Sequence, residues 1–195
     1  MNTTVFGAAA RFLASAVLVL ASSSSVSQPS ASPPDLATAN RPAFKELQWD
    51  DLVPKGWDPY KEMRDKNVGS LVDGSPRALQ RMREMRELWD NAPTNKSLDG
   101  QAVKLPGYVV PLEETKEGLK EFLLVPYFGA CVHSPPPPAN QIVHVVSAKP
   151  VKGFASMDTV WVSGILKMAR QDSEMGVSGY KIDALIVARY VPPAR

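Results

Sequence analysis

Beyond Leu98 the apolar residues of this chain arrive in five short runs separated by glycine, proline and polar clusters, a pattern that suits strands and not long helices. Asp99-Gly100 is a turn signal. The runs are Gln101 to Leu112 (with Val103, Leu105, Val109 and Val110), Phe122 to Tyr127, Gln141 to Val146, Val160 to Leu166, and Tyr180 to Tyr190. In the last, Ile182, Ala184, Ile186 and Ala188 alternate and are expected on one face. Gly107 and Gly164 stand in mid-strand, where a glycine marks a bulge or a bend. Five short strands kinked in this way predict a mainly β protein built on a small five-stranded OB-like barrel, with a small sandwich as the alternative. An OB-like barrel calls for a helix between its third and fourth strands, which places one over Ala148 to Met157. No internal repeat is present.

Upstream of the barrel domain (98–195), residues 44–97 read as an irregular strap and a helix packed on it. The strap, Phe44 to Tyr60, carries Phe44, Leu47, Trp49, Leu52, Val53, Trp57 and Tyr60, too much apolar area to leave in water. Pro54, Gly56 and Pro59 forbid a long regular element there. The helix spans Ser75 to Trp89. Ser75 suits the cap, Pro76 the first helical position, and Ala92-Pro93 the stop. Ala78, Met82, Met85 and Trp89 make one apolar stripe, while Arg77, Arg81, Arg83, Glu84, Arg86 and Glu87 fill the remainder as a solvated face.

The first 27 residues read as a signal peptide. Arg11 precedes the apolar run Phe12 to Ala21, too short to span a bilayer comfortably, and small residues follow. Residues 28–43 are a flexible leader rich in Pro, Ser and Ala. A periplasmic or secreted protein with no transmembrane segment after cleavage is therefore expected. Lys and Arg total 22 against 20 for Asp and Glu. So balanced a chain lacks the field of a nucleic-acid binder. One Cys and two His exclude an internal disulfide, a four-cysteine zinc site and a three-histidine site.

All three of those scarce side chains fall between Pro126 and His144. Cys131 and His133 are two apart, so an extended loop would place them on the same side. There they could share a metal, or the imidazole could lower the thiol pKa. His144, on the next strand, alternates with Ile142 and Val146 and would be a third ligand. Pro135, Pro136, Pro137 and Pro138 stiffen the connection. Asn140 and Gln141 could hydrogen-bond a ligating His or hold the proline loop itself. Tyr127 and Phe128 stand at the loop mouth, where aromatic residues suit partner binding. Each has a plainer reading: Cys131 as an inert buried residue, His144 as a satisfied core histidine, the prolines as a rigid loop. Nucleophilic catalysis by a Cys/His pair lacks an orienting carboxylate nearby, since Asp158 and Asp183 would have to be brought in by the fold. No phosphate-binding loop, nucleophile elbow or dinucleotide fingerprint is present, and an enzyme is the lesser expectation.

The stretches Leu98-Asp99-Gly100, Leu105 to Glu113, and Glu121 to His133 followed by Pro135 to Pro138 and Asn140-Gln141 resemble a small family of exported bacterial proteins of unknown function. Trp49 to Pro54 is similar to that family's opening motif, and the resemblance runs from Trp49 to Val187. It implies secreted proteins or lipoproteins, often encoded beside an ABC-type transporter set associated with zinc limitation. This chain has no lipobox Cys. The resulting expectation is an exported accessory protein that handles metal or supports such a transporter. Zinc is the default metal for Cys131, His133 and His144, and Cu(I) its rival. The alternatives are a metal-free module docking an envelope partner through its proline loop, and a thiol or redox protein using Cys131.

Overall fold

The computed structural model of the chain describes residues 43–58, 61 and 74–191. They fall within one unit, Arg41–Arg195. The expected signal peptide, the leader except for Ala43, and the strap's last two residues, Pro59 and Tyr60, lie outside the described residues.

The regular elements are β1 (Lys45–Glu46), α1 (Pro76–Asp90), β2 (Ala102–Thr115), β3 (Gly118–Val125), β4 (Val143–Val151), β5 (Thr159–Ser173) and β6 (Gly176–Arg189). Short 3-10 turns lie at Trp49–Leu52, Lys96–Leu98 and Ala139–Gln141. The strands pair in the order β2-β3-β4-β6-β5, and β5 returns to β2. Four of the five contacts are antiparallel; β4 and β6 run parallel. The result is the closed, mixed five-stranded barrel of the OB-like expectation.

Alternation along the strands fills the interior. Val103, Leu105 and Val109 of β2, Phe122 and Leu124 of β3, Val143 and Val145 of β4, Val160, Val162 and Leu166 of β5, and Tyr180 and Ile182 of β6 form one buried core. The run Phe122 to Val125 is apolar at every position because both of its faces are covered. Leu123 and Val125 point outward into a second cluster with Val110, Ala130 and Ile142. Gly107 permits the close approach of β3, since a Cβ there would stand 2.7 Å from Leu124 Cγ and 2.8 Å from the Val125 carbonyl oxygen. A Cβ on Gly164 would collide with the Asp183 carbonyl oxygen, at the place where the β5–β6 register slips.

Two expectations are corrected. No helix forms over Ala148 to Met157: β4 continues to Val151, and the crossing to β5 turns through Gly153 and Met157 at positive φ. Pro150 in that stretch would cost a helix an internal hydrogen bond. The alternation of β6 also breaks. Ser163 faces Ile186 but Gly164 faces Ala184, so Leu185 is the extra residue of a bulge. Ile182 and Ala184 are buried, Ile186 is 41% exposed, and Val187 packs against the core in its place.

The strap is fastened to the barrel. β1 adds in parallel to β2, pairing Lys45 with Val103 and Glu46 with Lys104. Leu47 and Leu52 are fully buried in the core. The Trp49 indole N–H donates to the Pro106 carbonyl at 2.8 Å. The hydroxyl of buried Tyr180 donates to the Leu52 carbonyl at 2.6 Å and accepts from the Asn95 N–H.

A candidate interaction surface around the proline loop

The loop from Pro126 to Ile142 joins β3 to β4 and is built around one carbonyl. Gly129 O accepts from the N–H groups of Val132 (3.3 Å), His133 (2.8 Å) and Ser134 (3.1 Å), and from Ser134 Oγ (3.2 Å). Gly129 takes φ 85° and Cys131 φ 63°, and this left-handed pair makes the turn tight. The Gly129 N–H points to Met157 Sδ at 3.1 Å. Ala130 is buried in the outer cluster, and Cys131 and Met157 pack against it.

The surroundings of Cys131 favour its thiol form. Burial pushes its thiol up to about 11, against the opposing pull of the Arg86 guanidinium. Such a shift favours the protonated thiol at neutral pH. His133 lies exposed on the turn. His144 is buried on β4 opposite Leu123, and its Nε2 stands 3.2 Å from Glu121 Oε2. Glu121 is a partner that sequence reasoning missed; only the β3–β4 register reveals it. Among the described residues no three His, Cys, Asp or Glu side chains are grouped to hold one metal ion.

The amides and prolines hold the local structure together. Asn140 is fully buried; its Nδ2 donates to the Pro93 carbonyl at 2.9 Å, and its Oδ1 has no hydrogen-bond partner among the described residues. Gln141 Nε2 donates to the Trp49 carbonyl at 2.9 Å. These two side chains tie the exit of α1 and the strap to the proline loop. Pro137 and Pro138 are buried, Pro136 is half-buried against Gly176, and Pro135 is exposed. From the other side Arg86 of α1 pairs with Asp90 and donates to the Pro136 carbonyl at 2.9 Å.

Helix α1 begins where expected, with Ser75 Oγ accepting from the Ala78 N–H at 3.2 Å and Pro76 in the first turn. Yet it buries no residue. Met82 is 60% exposed and Leu79 47%. Between its apolar side and the loop lies a hollow of about 540 Å³, lined by Leu79, Met82, Met85, Trp89, Tyr127 and Pro135, with Arg83 and Arg86 beside them. A second, of about 510 Å³, opens between the loop and the strap, where Val53, Pro54 and Trp57 face Pro137 and Pro138. Trp89 and Tyr127 line both, so the two hollows adjoin. Phe128, also exposed, stands edge-on to Tyr108 with ring centroids 5.9 Å apart. Arg83 has no ion-pair partner among the described residues. The arrangement offers a broad apolar surface with a cation at its rim, held on rigid turns.

No curated protein matches the sequence. Among solved structures, the chain is similar to the crystal structure of a DUF3299 family protein from Pseudomonas aeruginosa. The two are 37% identical with a TM-score of 0.61, over 78% of this chain and 99% of that one. Residues 49–189 match the family described as "Protein of unknown function (DUF3299)", and the chain belongs to that family.

Proposed function

We propose that this chain is an exported binding module that docks a protein of the cell envelope through helix α1 and the proline loop. The observation that carries this reading is the exposed apolar side of α1. A surface helix normally turns such a stripe to the core. Here Ala78, Met85 and Trp89 of the stripe are half-buried, while Met82 and the adjacent Leu79 face outward beside Tyr127 and Pro135. Contiguous exposed apolar area rimmed by polar groups suits protein association. Arg83 selects a partner with an acidic residue beside its apolar anchor, an ABC-type transporter component being the candidate class from the sequence. The reading needs no thiolate, and it uses the loop's rigidity.

A photo-crosslinking residue placed at Met82 in cells tests it. Capture of one defined envelope protein is expected, lost in Arg83→Glu and absent when the crosslinker stands at Lys167 on the far strands. Capture that ignores Arg83→Glu, or none at all, would refute the docking role. The expected zinc-handling role is separate and has its own readout. The metal content of the purified chain, compared with that of Cys131→Ser, decides it.

A further inference from the structure

The barrel strands part company in two places. The first is beside β2, whose residues 102–107 lie beyond the reach of β3, which pairs only from Tyr108 onward. The strap fills that edge: β1 pairs with Val103 and Lys104, and the Leu47 N–H donates to the Lys104 carbonyl at 2.9 Å. The second is between β4 and β6. Their parallel pairing runs from Val143 with Tyr180 to Ser147 with Ala184 and stops. Beyond it β4 bulges away from β3 as well and rejoins it only at Val151, opposite Leu119, while β6 keeps to β5. A groove of about 480 Å³ opens between residues 147–151 and 184–187.

The main chain of β6 faces this groove. The Tyr190 N–H donates to the Thr159 carbonyl at 3.0 Å. Bonded pairs recur at every second residue of an antiparallel ladder, so Ala188 with Trp161 and Ile186 with Ser163 are the bonded pairs. The N–H and C=O of Val187 therefore point away from β5 and into the groove, where no strand among the described residues meets them. Leu185, 59% exposed at the bulge, and Ile186 flank the opening.

The opposite wall differs. On β4, Pro150 has no N–H to offer, and Lys149 lacks an ion-pair partner among the described residues. Lysine and proline are the usual guards of a strand edge. The edge of β6 has neither at 185–187. We propose that this edge is a strand-addition site for an extended segment of a partner protein, apolar at alternate positions and carrying an acidic residue that meets Lys149. Main-chain hydrogen bonds to Val187 would give affinity, and Leu185, Ile186 and Lys149 would set the sequence preference. The length needed is small, since β1 seals the other edge with two paired residues.

The probe is an acetylated and amidated hexapeptide of alternating valine and glutamate, added to the isotope-labelled full chain and followed by amide exchange and chemical shift. The peptide is expected to slow exchange at Val187 about tenfold while leaving Ala188 unchanged. Lys149→Glu should weaken binding about fivefold, the factor for an exposed pair worth about 1 kcal/mol. N-methylation of the peptide at alternate residues should abolish it. Three results would overturn the proposal: no protection of Val187 at millimolar peptide, shifts confined to α1 and the proline loop, or protection that rises with protein concentration alone. The last would make the occupant a second copy of this chain.

Discussion

The strap has no regular period, yet it buries Leu47 and Leu52 completely and is hydrogen-bonded through Trp49, Leu52 and Gln141. Helix α1 has the clearest periodicity upstream of the barrel and buries no residue fully. Both belong to the same extension of the chain and meet the barrel in opposite ways. Regular patterning shows that an element has an apolar side; what covers that side is a separate matter. The strap sinks Leu47 and Leu52 into the core, while α1 is attached through Arg86, Arg170 and the amide of Asn140, half-buries Met85, Leu88 and Trp89, and leaves Leu79 and Met82 exposed. That contrast is the physical basis for assigning fold stability to one and binding to the other.

The largest effect should come from the strap. Leu52→Ala removes a fully buried side chain and is expected to cost about 2–5 kcal/mol in denaturant unfolding. A cost below that range would mean the strap is less integral than its burial indicates. Tyr180→Phe comes next. It leaves the Leu52 carbonyl and the Asn95 N–H without their partner and should cost about 1–3 kcal/mol, read in the same titration. On α1 the direction of the test reverses. Met82→Ala should move stability by no more than about 0.5 kcal/mol, since the side chain is mostly exposed, while reducing the envelope capture described above. A large loss of stability there would erase the contrast.

The remaining effect is confined to alkaline pH and is the titration of Cys131. Its folded-state pKa, about 11, lies above the ordinary 9.0. The folded chain therefore holds the proton more tightly, and the associated stability is intact below pH 9 and lost as pH rises through 9 to about 11. Comparing unfolding midpoints of wild type and Cys131→Ser across that window should show wild type falling faster. Parallel curves would mean the thiol is not desolvated by the loop.

Much of the barrel was legible because its signals are local. Mid-strand Gly107 and Gly164 mark the close approach and the register slip, and each of the five apolar runs lies on or overlaps a strand. The end of β5 was missed because Arg170, Gln171 and Asp172 are exposed there and no alternation is needed, and the start of β6 because its buried residues, Gly176 to Gly179, include only one large apolar side chain. The bulge at Leu185 defeats the reading of Ile186 and Ala188, since one extra residue reverses the facing of all that follow. The site was less legible. Clustering of Cys131, His133 and His144 in sequence does not foretell that His144 stands beside Glu121, 23 positions away on the neighbouring strand. Tyr127 and Pro135 read as surface features of the loop and line the hollow, but their companions Leu79, Met82 and Trp89 come from a helix whose stripe reads like any core-facing one.

The measurement that tests the account most directly is methionine oxidation, read residue by residue, in the purified chain and in intact cell envelopes. Met82 on α1 and Met168 on β5, 60% and 36% exposed, are the pair to compare. The account predicts that Met82 oxidises readily in the purified chain and is protected in the envelope, while Met168 reacts equally in both. Equal oxidation of Met82 in the two settings would contradict it, for the apolar side of α1 would then have no envelope partner.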